Sequence, residues 1–320
     1  MTVTRMGLQI PTFRYPGVGA GDLFERVAAI ATTAEQSGFD SVWVMDHLHQ
    51  IAVVAPETDP MLEGYTVLAG IAARTQRVGL GTMVTGVTYR NPALLAKIVT
   101  TLDIVSAGRA ILGIGAAWNE SEHKAYGYDF PPVKERFGRL EDALHICRLM
   151  FSPDEEAPSY SGTHHSIAGA LNNPKPVRGR IPILIGGSGE RRTLRLVARY
   201  ADACNLFGDL DTIRHKLDVL EGHCADVGRD PAEITKTKLA TLVVGRTMEE
   251  AQAAAETAAR RRGDMAAWFL AAAVIGDADR VGEVVASHRA AGLDGLICNL
   301  PDYDVDRVGL AGEAVAKAFG

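Results

Sequence analysis

The feature that most narrows what this chain can fold into is a repeated alternation. Eight short apolar runs are each followed by a stretch with helical periodicity, from one end of the 320 residues to the other. Met6 to Ile10 reads as the first strand. Leu23 to Ser37 follows as a helix, with Val27, Ile30, Ala31 and Ala34 on one face and Gly38 as its stop. The other strands read as Ser41 to Met45, Val78 to Val84, Ala110 to Gly115, Pro182 to Gly186, Ala203 to Phe207, Thr237 to Val244 and Gly295 to Asn299. The helices between and after them read as Tyr65 to Thr75, Pro92 to Val105, Arg136 to Met150, Glu190 to Tyr200, Thr212 to Val227, Met248 to Arg261 and Val305 to Phe319. Strands that alternate with helices build a parallel sheet, and helices must cover it. Eight units predict an α/β fold, a closed (β/α)8 TIM barrel. Such a barrel takes about 250 residues, which leaves roughly 70 for insertions. Residues 47 to 63, 117 to 131, 151 to 180 and 262 to 276 are where they fall, on the C-terminal face of the strands. No Ser/Gly-rich linker divides the chain, so residues 1–320 read as a single domain.

Composition narrows the function. The chain carries 33 basic and 39 acidic residues, a net charge of −6. The only dense basic cluster, Arg260-Arg261-Arg262, reads as the solvated end of a helix. A nucleic-acid partner is not expected, because phosphate backbones demand a concentrated basic surface. Cys147, Cys204, Cys224 and Cys298 are scattered without a CxxC pair, against a disulfide framework or a zinc site. No segment reaches the roughly 20 apolar residues of a membrane span. The opening MTVTRMGLQIP lacks the apolar stretch of a signal peptide. A cytoplasmic protein is expected.

In a barrel, polar residues just past strand ends are the first candidates for chemistry. Asp46-His47 follows the second strand and pairs a carboxylate with a proton-transfer group, although a surface dipeptide or helix cap would look the same. Gly79 and Gly81 on the third strand and Gly113 and Gly115 on the fourth permit close backbone approach. Thr82 and Thr85 offer hydroxyls, and Asn119 and Glu120 follow the fourth strand. The GxG there is no Rossmann fingerprint, since the rest of the motif is missing. Gly186, Gly187, Ser188 and Gly189 precede a helix and suit a phosphate, with Arg191 and Arg192 at hand, although Ser188 could simply cap the helix. The adjacent His164-His165 would point to opposite sides of an extended segment, so no metal is expected there. Lys236 and Lys238, flanking the seventh strand, are the residues an aldolase-type Schiff base would need. Trp118 and Trp268 lie in the insertions, as pocket walls or as packing.

Taken together, these segments resemble the luciferase-like monooxygenase superfamily, and within it the enzymes that use the deazaflavin coenzyme F420. The resemblance rests on GFDSVWVMDHL (38 to 48), VGLGTMVTGVTYRNPALLAK (78 to 97), GRAILGIGAAWNESEHKAYGYDFPPVKERFGRLEDAL (108 to 144), ALNNPKPV (170 to 177) and IPILIGGSGERRTLRLVARYADACN (181 to 205), in family order. It implies that Asp46 contacts the isoalloxazine-like ring and that His47 lies beside its reactive face. It implies a non-prolyl cis peptide at Met83–Val84, forming a bulge behind the ring. Thr85, Gly115 and Asn119 match neighbours of the ring or its polyol tail, and Gly186, Gly187 and Ser188 match the holders of the tail phosphate.

The sugar-phosphate dehydrogenases of this superfamily carry a glutamate between the strand-four glycines and the loop asparagine. The stretch Gly115-Ala116-Ala117-Trp118-Asn119 is shorter and lacks it, so that reaction is not expected, and Trp118 suggests an apolar substrate wall. The implied reaction is hydride transfer from reduced F420 to a small organic substrate, with His47 as proton donor and Asp46 orienting or charging it. The insertions at 151 to 180 and 262 to 276 would set specificity or close as a lid. The rival is an FMN-dependent monooxygenase fed by a separate reductase. The resemblance also suggests a homodimer.

Overall fold

The computed structural model describes residues 5–319. Eight parallel strands close on themselves: β1 (Met6–Ile10), β2 (Ser41–Val44), β3 (Gly79–Thr82), β4 (Ala110–Gly115), β5 (Ile183–Gly186), β6 (Ala203–Leu206), β7 (Thr235–Val244) and β8 (Gly295–Asn299). Each pairs with its neighbour in chain order, and β8 pairs back onto β1 through Met6–Leu296, Gly7–Ile297 and Leu8–Cys298. The expected (β/α)8 barrel is therefore what the chain forms. Around it run α1 (Leu23–Ser37), α2 (Gly64–Ala72), α3 (Pro92–Val105), α4 (Glu120–Tyr126), α5 (Val133–Phe151), α6 (Thr193–Tyr200), α7 (Leu210–Asp226), α8 (Met248–Arg260), α9 (Ala266–Ala272), α10 (Ala278–Ala290) and α11 (Val305–Phe319).

The pleat sorts side chains into two cores. Leu8, Ile10, Val42, Val44, Leu80, Leu112, Ile114, Ile183 and Ile185 join the large cluster shared with the helices. Trp43, Ile111, Leu184, Ala203 and Ile297 form a second cluster inside the barrel. Trp43 is fully buried in that interior, and its Nε1 donates to Ser41 Oγ at 2.9 Å. A Cβ on Gly7 would stand 2.7 Å from Trp43 Nε1, and one on Gly81 2.7 Å from its Cζ3. The close approach anticipated at Gly81 is thus that of an indole from the neighbouring strand.

Several boundaries differ from the sequence reading. β3 ends at Thr82; the chain then passes a cis Met83–Val84 peptide, and Thr85–Gly86 resumes pairing with Ile114 and Gly115 of β4. β7 begins at Thr235, so Lys236 as well as Lys238 lies within it. Lys236 sits 3.7 Å from Asp294, and Leu239, not its lysine neighbours, joins the barrel interior. α6 begins at Thr193, not Glu190, because Gly189 accepts from Leu194 N–H across a turn. α10 has no counterpart in the sequence reading, and residues 262–276 form α9 and a short strand, Val274–Gly276, beside the end of β7.

The 151–180 insertion is fastened to the outside of the barrel. Asp142 on α5 accepts from Tyr160 Oη at 2.9 Å and from the N–H groups of His164 and His165 at 2.7 and 3.0 Å. Buried Asn172 donates to Thr100 Oγ1 on α3 at 2.9 Å and to the Met150 carbonyl at 2.8 Å.

Candidate active site

A cavity of about 430 Å³ opens at the C-terminal ends of the strands, with no residue of 151–180 or 262–276 in its wall. The wall comes instead from the strand ends, from residues 115–119 and from α5, where Val133, Arg136, Phe137 and Leu140 face it. Neither insertion lines the cavity: one is pinned along α3 and α5, the other packs on α8.

Asp46 and His47 both reach the cavity from the end of β2, but they belong to separate networks. Asp46 is buried in a two-pronged pair with Arg90, Nη1 to Oδ2 at 2.8 Å and Nη2 to Oδ1 at 2.9 Å. Gly86 N–H adds a third bond at 3.1 Å, and Arg90 also meets Glu63 at 2.7 Å. Burial pushes the Asp46 carboxyl up against the pull of Arg90, while Asp46 holds the guanidinium more firmly charged. All this engages the Asp46 oxygens with Arg90 and Gly86. The hydrogen bonds of Asp46 run to Arg90 and Gly86, and that of His47 to Glu122.

The partner of His47 is Glu122. His47 Nδ1 lies 2.7 Å from Glu122 Oε2, with the carboxylate fully buried and the imidazole 14% exposed. The same oxygen accepts from Tyr89 Oη at 2.6 Å and Asn119 Nδ2 at 3.3 Å, while Oε1 accepts from the N–H groups of Leu48 and His49. Burial alone would raise this carboxyl, but the bonds from His47, Tyr89 and Leu48 overcome it and hold it down at about 2. Sequence reasoning named Asn119 and Glu120 and passed over Glu122. Its signal was present: Asn119 precedes α4, and a glutamate three residues later reads as a helix capping box. The structure turns that carboxylate away from the helix end toward His47. Trp118 stands edge-on to His47, centroids 5.8 Å apart.

The cavity floor is apolar. Met83, Val84 and Leu239 pack on the barrel-interior cluster. A Cβ on Gly115 would stand 2.9 Å from Val84 and one on Gly186 2.8 Å, so these two glycines make room for that side chain. Thr85 is buried in a hydroxyl chain, 2.6 Å from both Tyr65 Oη and Thr82 Oγ1. Asn205, on β6, also lines the cavity, and its buried Oδ1 has no hydrogen-bond partner among the described residues.

In the turn after β5, Gly187 has φ +116°, open to glycine above other residues, and its N–H donates to the Asn205 carbonyl at 3.2 Å. Gly186, Gly187 and Thr193 line the cavity, whereas Ser188 does not and its carbonyl accepts from Lys216 Nζ at 3.0 Å. Arg136 brings a buried cation to the wall, bonded to the carbonyls of Pro131 and Ala117. Among the described residues no group of His, Cys, Asp or Glu is placed to hold a metal, and no helix is long and apolar enough to cross a membrane.

A parallel barrel whose mouth joins a carboxylate-bound histidine to an apolar floor and a glycine turn defines a small-molecule enzyme site. Residues 4–296 match the model of the luciferase-like monooxygenase family, and the chain belongs to that family. A phthiodiolone/phenolphthiodiolone dimycocerosates ketoreductase of Mycobacterium sp. (strain JLS) is 31% identical over 265 residues, 75% of this chain and 69% of that protein. An F420-dependent glucose-6-phosphate dehydrogenase of Kineococcus radiotolerans is 36% identical over 167 residues, 51% of this chain and 47% of that protein. The chain thus spans between about half and just over two-thirds of these relatives. An F420-dependent secondary alcohol dehydrogenase, solved with an F420–acetone adduct, superposes with a TM-score of 0.81 at 19% identity, covering 98% of this chain and 99% of that one. Two monooxygenases superpose with TM-scores of 0.81 and 0.79 at 21% and 17% identity, so the fold is common to both kinds of enzyme.

Proposed function

We propose that this chain is an F420-dependent oxidoreductase that passes a hydride from the reduced deazaflavin to a small organic substrate at the barrel mouth. The observation that carries the reading is His47, held through Nδ1 on a buried carboxylate beside an apolar floor. The residues present fit the group. Met83, Val84 and Leu239 offer an apolar bed for a flat ring, and the unpartnered Oδ1 of Asn205 would accept from a ring N–H. Gly186, Gly187 and Thr193 would hold the tail phosphate, with Ser188 keeping the turn in place through Lys216 and Arg136 supplying charge. Gly115, Thr85 and Asn119 would border the ring and its polyol, and Asp46, locked to Arg90, would shape that border.

When bound, reduced F420 supplies the hydride. His47 would pass a proton to the substrate oxygen as that oxygen gains charge. Trp118 and Phe207 would wall off water above it. The missing acid between Gly115 and Asn119 argues against a sugar phosphate as substrate, whatever the relative's own reaction. The second reading is an FMN-dependent monooxygenase, favoured by the monooxygenases that share the fold.

Paired fluorescence titrations with F420 and with FMN decide between them. F420 is expected to bind and FMN not, with binding lost in Gly187→Asp, which sets a carboxylate at the phosphate turn. Tight binding of FMN alone would replace this reading with the monooxygenase, and binding of neither would remove both.

A further inference from the structure

The two oxygens of the Glu122 carboxylate face different sets of donors. One oxygen, Oε1, gathers the backbone N–H groups of Leu48 and His49; the other, Oε2, gathers His47, Tyr89 and Asn119. Tyr89 and Asn119 bring hydrogens to this oxygen, and an ionised carboxylate has none to give. The short contact to His47 can be a hydrogen bond only if Nδ1 carries the proton. We infer that Glu122 is the positioning residue of this site: it locks His47 in the Nδ1–H tautomer, so that the ring exchanges its proton with the cavity through Nε2. This rests on the proposed role of His47 as proton donor.

The geometry makes the lock stiff. The carboxylate is fully buried, so water cannot replace a lost partner. It is carried on α4, while His47 follows β2, so the bond ties the donor to the segment that also supplies Trp118. Oε1 holds the two N–H groups that follow His47, which fixes the backbone from which the ring projects. A glutamine cannot reproduce the set: its amide nitrogen must face either those N–H groups or the donors around Oε2, and both sides already bring hydrogens.

The test begins on the protein without cofactor. Nitrogen-15 NMR of histidine-labelled protein should show His47 as the Nδ1–H tautomer when neutral; an Nε2–H tautomer overturns the inference outright. Glu122→Ala, which removes the acceptor, should shift His47 toward Nε2–H, and an unchanged tautomer overturns it too. Glu122→Gln should lower kcat by roughly ten- to a hundred-fold, the range seen when the partner that orients a functional histidine is lost. KM should move by no more than about two-fold, since substrate binding is not read through the His47–Glu122 bond. In a His47→Ala background Glu122→Gln should cost kcat nothing further; an equal loss in both backgrounds would mean that Glu122 acts only on structure. Should Glu122→Ala fail to fold, the wild-type tautomer and the glutamine cycle still decide the matter. Turnover unchanged in His47→Ala would defeat the proton-donor reading alone, leaving the tautomer measurement to judge Glu122 separately.

Discussion

At the scale of single residues, the site is governed by two buried carboxylates with opposite surroundings. Asp46 faces one guanidinium and one N–H, whereas Glu122 collects five donors on its two oxygens. Glu122 is lowered from 4.5 to about 2. A depressed carboxyl stabilises the folded state above its unfolded value and loses that contribution as pH falls through its folded value. The window therefore lies between pH 4.5 and about 2, and the shift corresponds to about 3 kcal/mol. Urea midpoints of wild type and Glu122→Gln, measured from pH 5 downward, should converge as the pH falls; parallel curves would sink the assignment. The site was half legible at this scale. Asp46, His47, Met83, Val84, Thr85, Gly115, Asn119, Gly186 and Gly187 do line one cavity. Glu122 and Arg90 were not found, because each acts through a partner 75 or 44 positions away, and spacing in a sequence carries no record of that contact.

At the scale of elements, the barrel is set by where side chains are missing. A Cβ on Gly113 would lie 1.9 Å from the Thr82 carbonyl oxygen, a backbone atom that cannot swing aside. Gly113→Ala should therefore cost at least about 3 kcal/mol or prevent folding, read by denaturant unfolding. Gly222, inside α7, has nothing within 4 Å of its Cβ position. Gly222→Ala should stabilise by about 0.5–1 kcal/mol in the same assay, because alanine gives up less backbone freedom in a helix. Equal effects of the two changes would contradict the packing described here. The eight strands were readable because apolar runs buried on both faces are dense in β-branched residues, as in β2 and β5. The start of α6 was not, since the Gly-rich turn carries the chain three residues past the point where helical periodicity begins. α10 was missed because only Val281, Val285 and His288 are buried on it, too thin an apolar stripe to stand out.

At the scale of the whole molecule, the insertions divide the labour differently from what their position in the chain suggests. A 30-residue excursion reads as a lid, but it runs from α5 to β5, a helix-to-strand connection, and in a barrel it is the strand-to-helix connections that build the catalytic face. Here residues 151–180 form no part of the cavity wall, and Asn172 anchors them to α3 and to the end of α5. They brace the outer layer. Asn172→Ala leaves the Thr100 hydroxyl and the Met150 carbonyl short of a buried donor, a loss of about 1–3 kcal/mol. Thermal unfolding should register that loss, while F420 affinity and KM should stay within about two-fold of wild type. Trp118→Ala should do the reverse: Trp118 is 61% exposed and so adds little to stability, yet it stands against His47 in the cavity wall. Its removal should raise KM for the substrate without moving the unfolding temperature. If instead Asn172→Ala raised KM and Trp118→Ala lowered stability, the brace and the wall would have to exchange places, and specificity would again belong to the insertion.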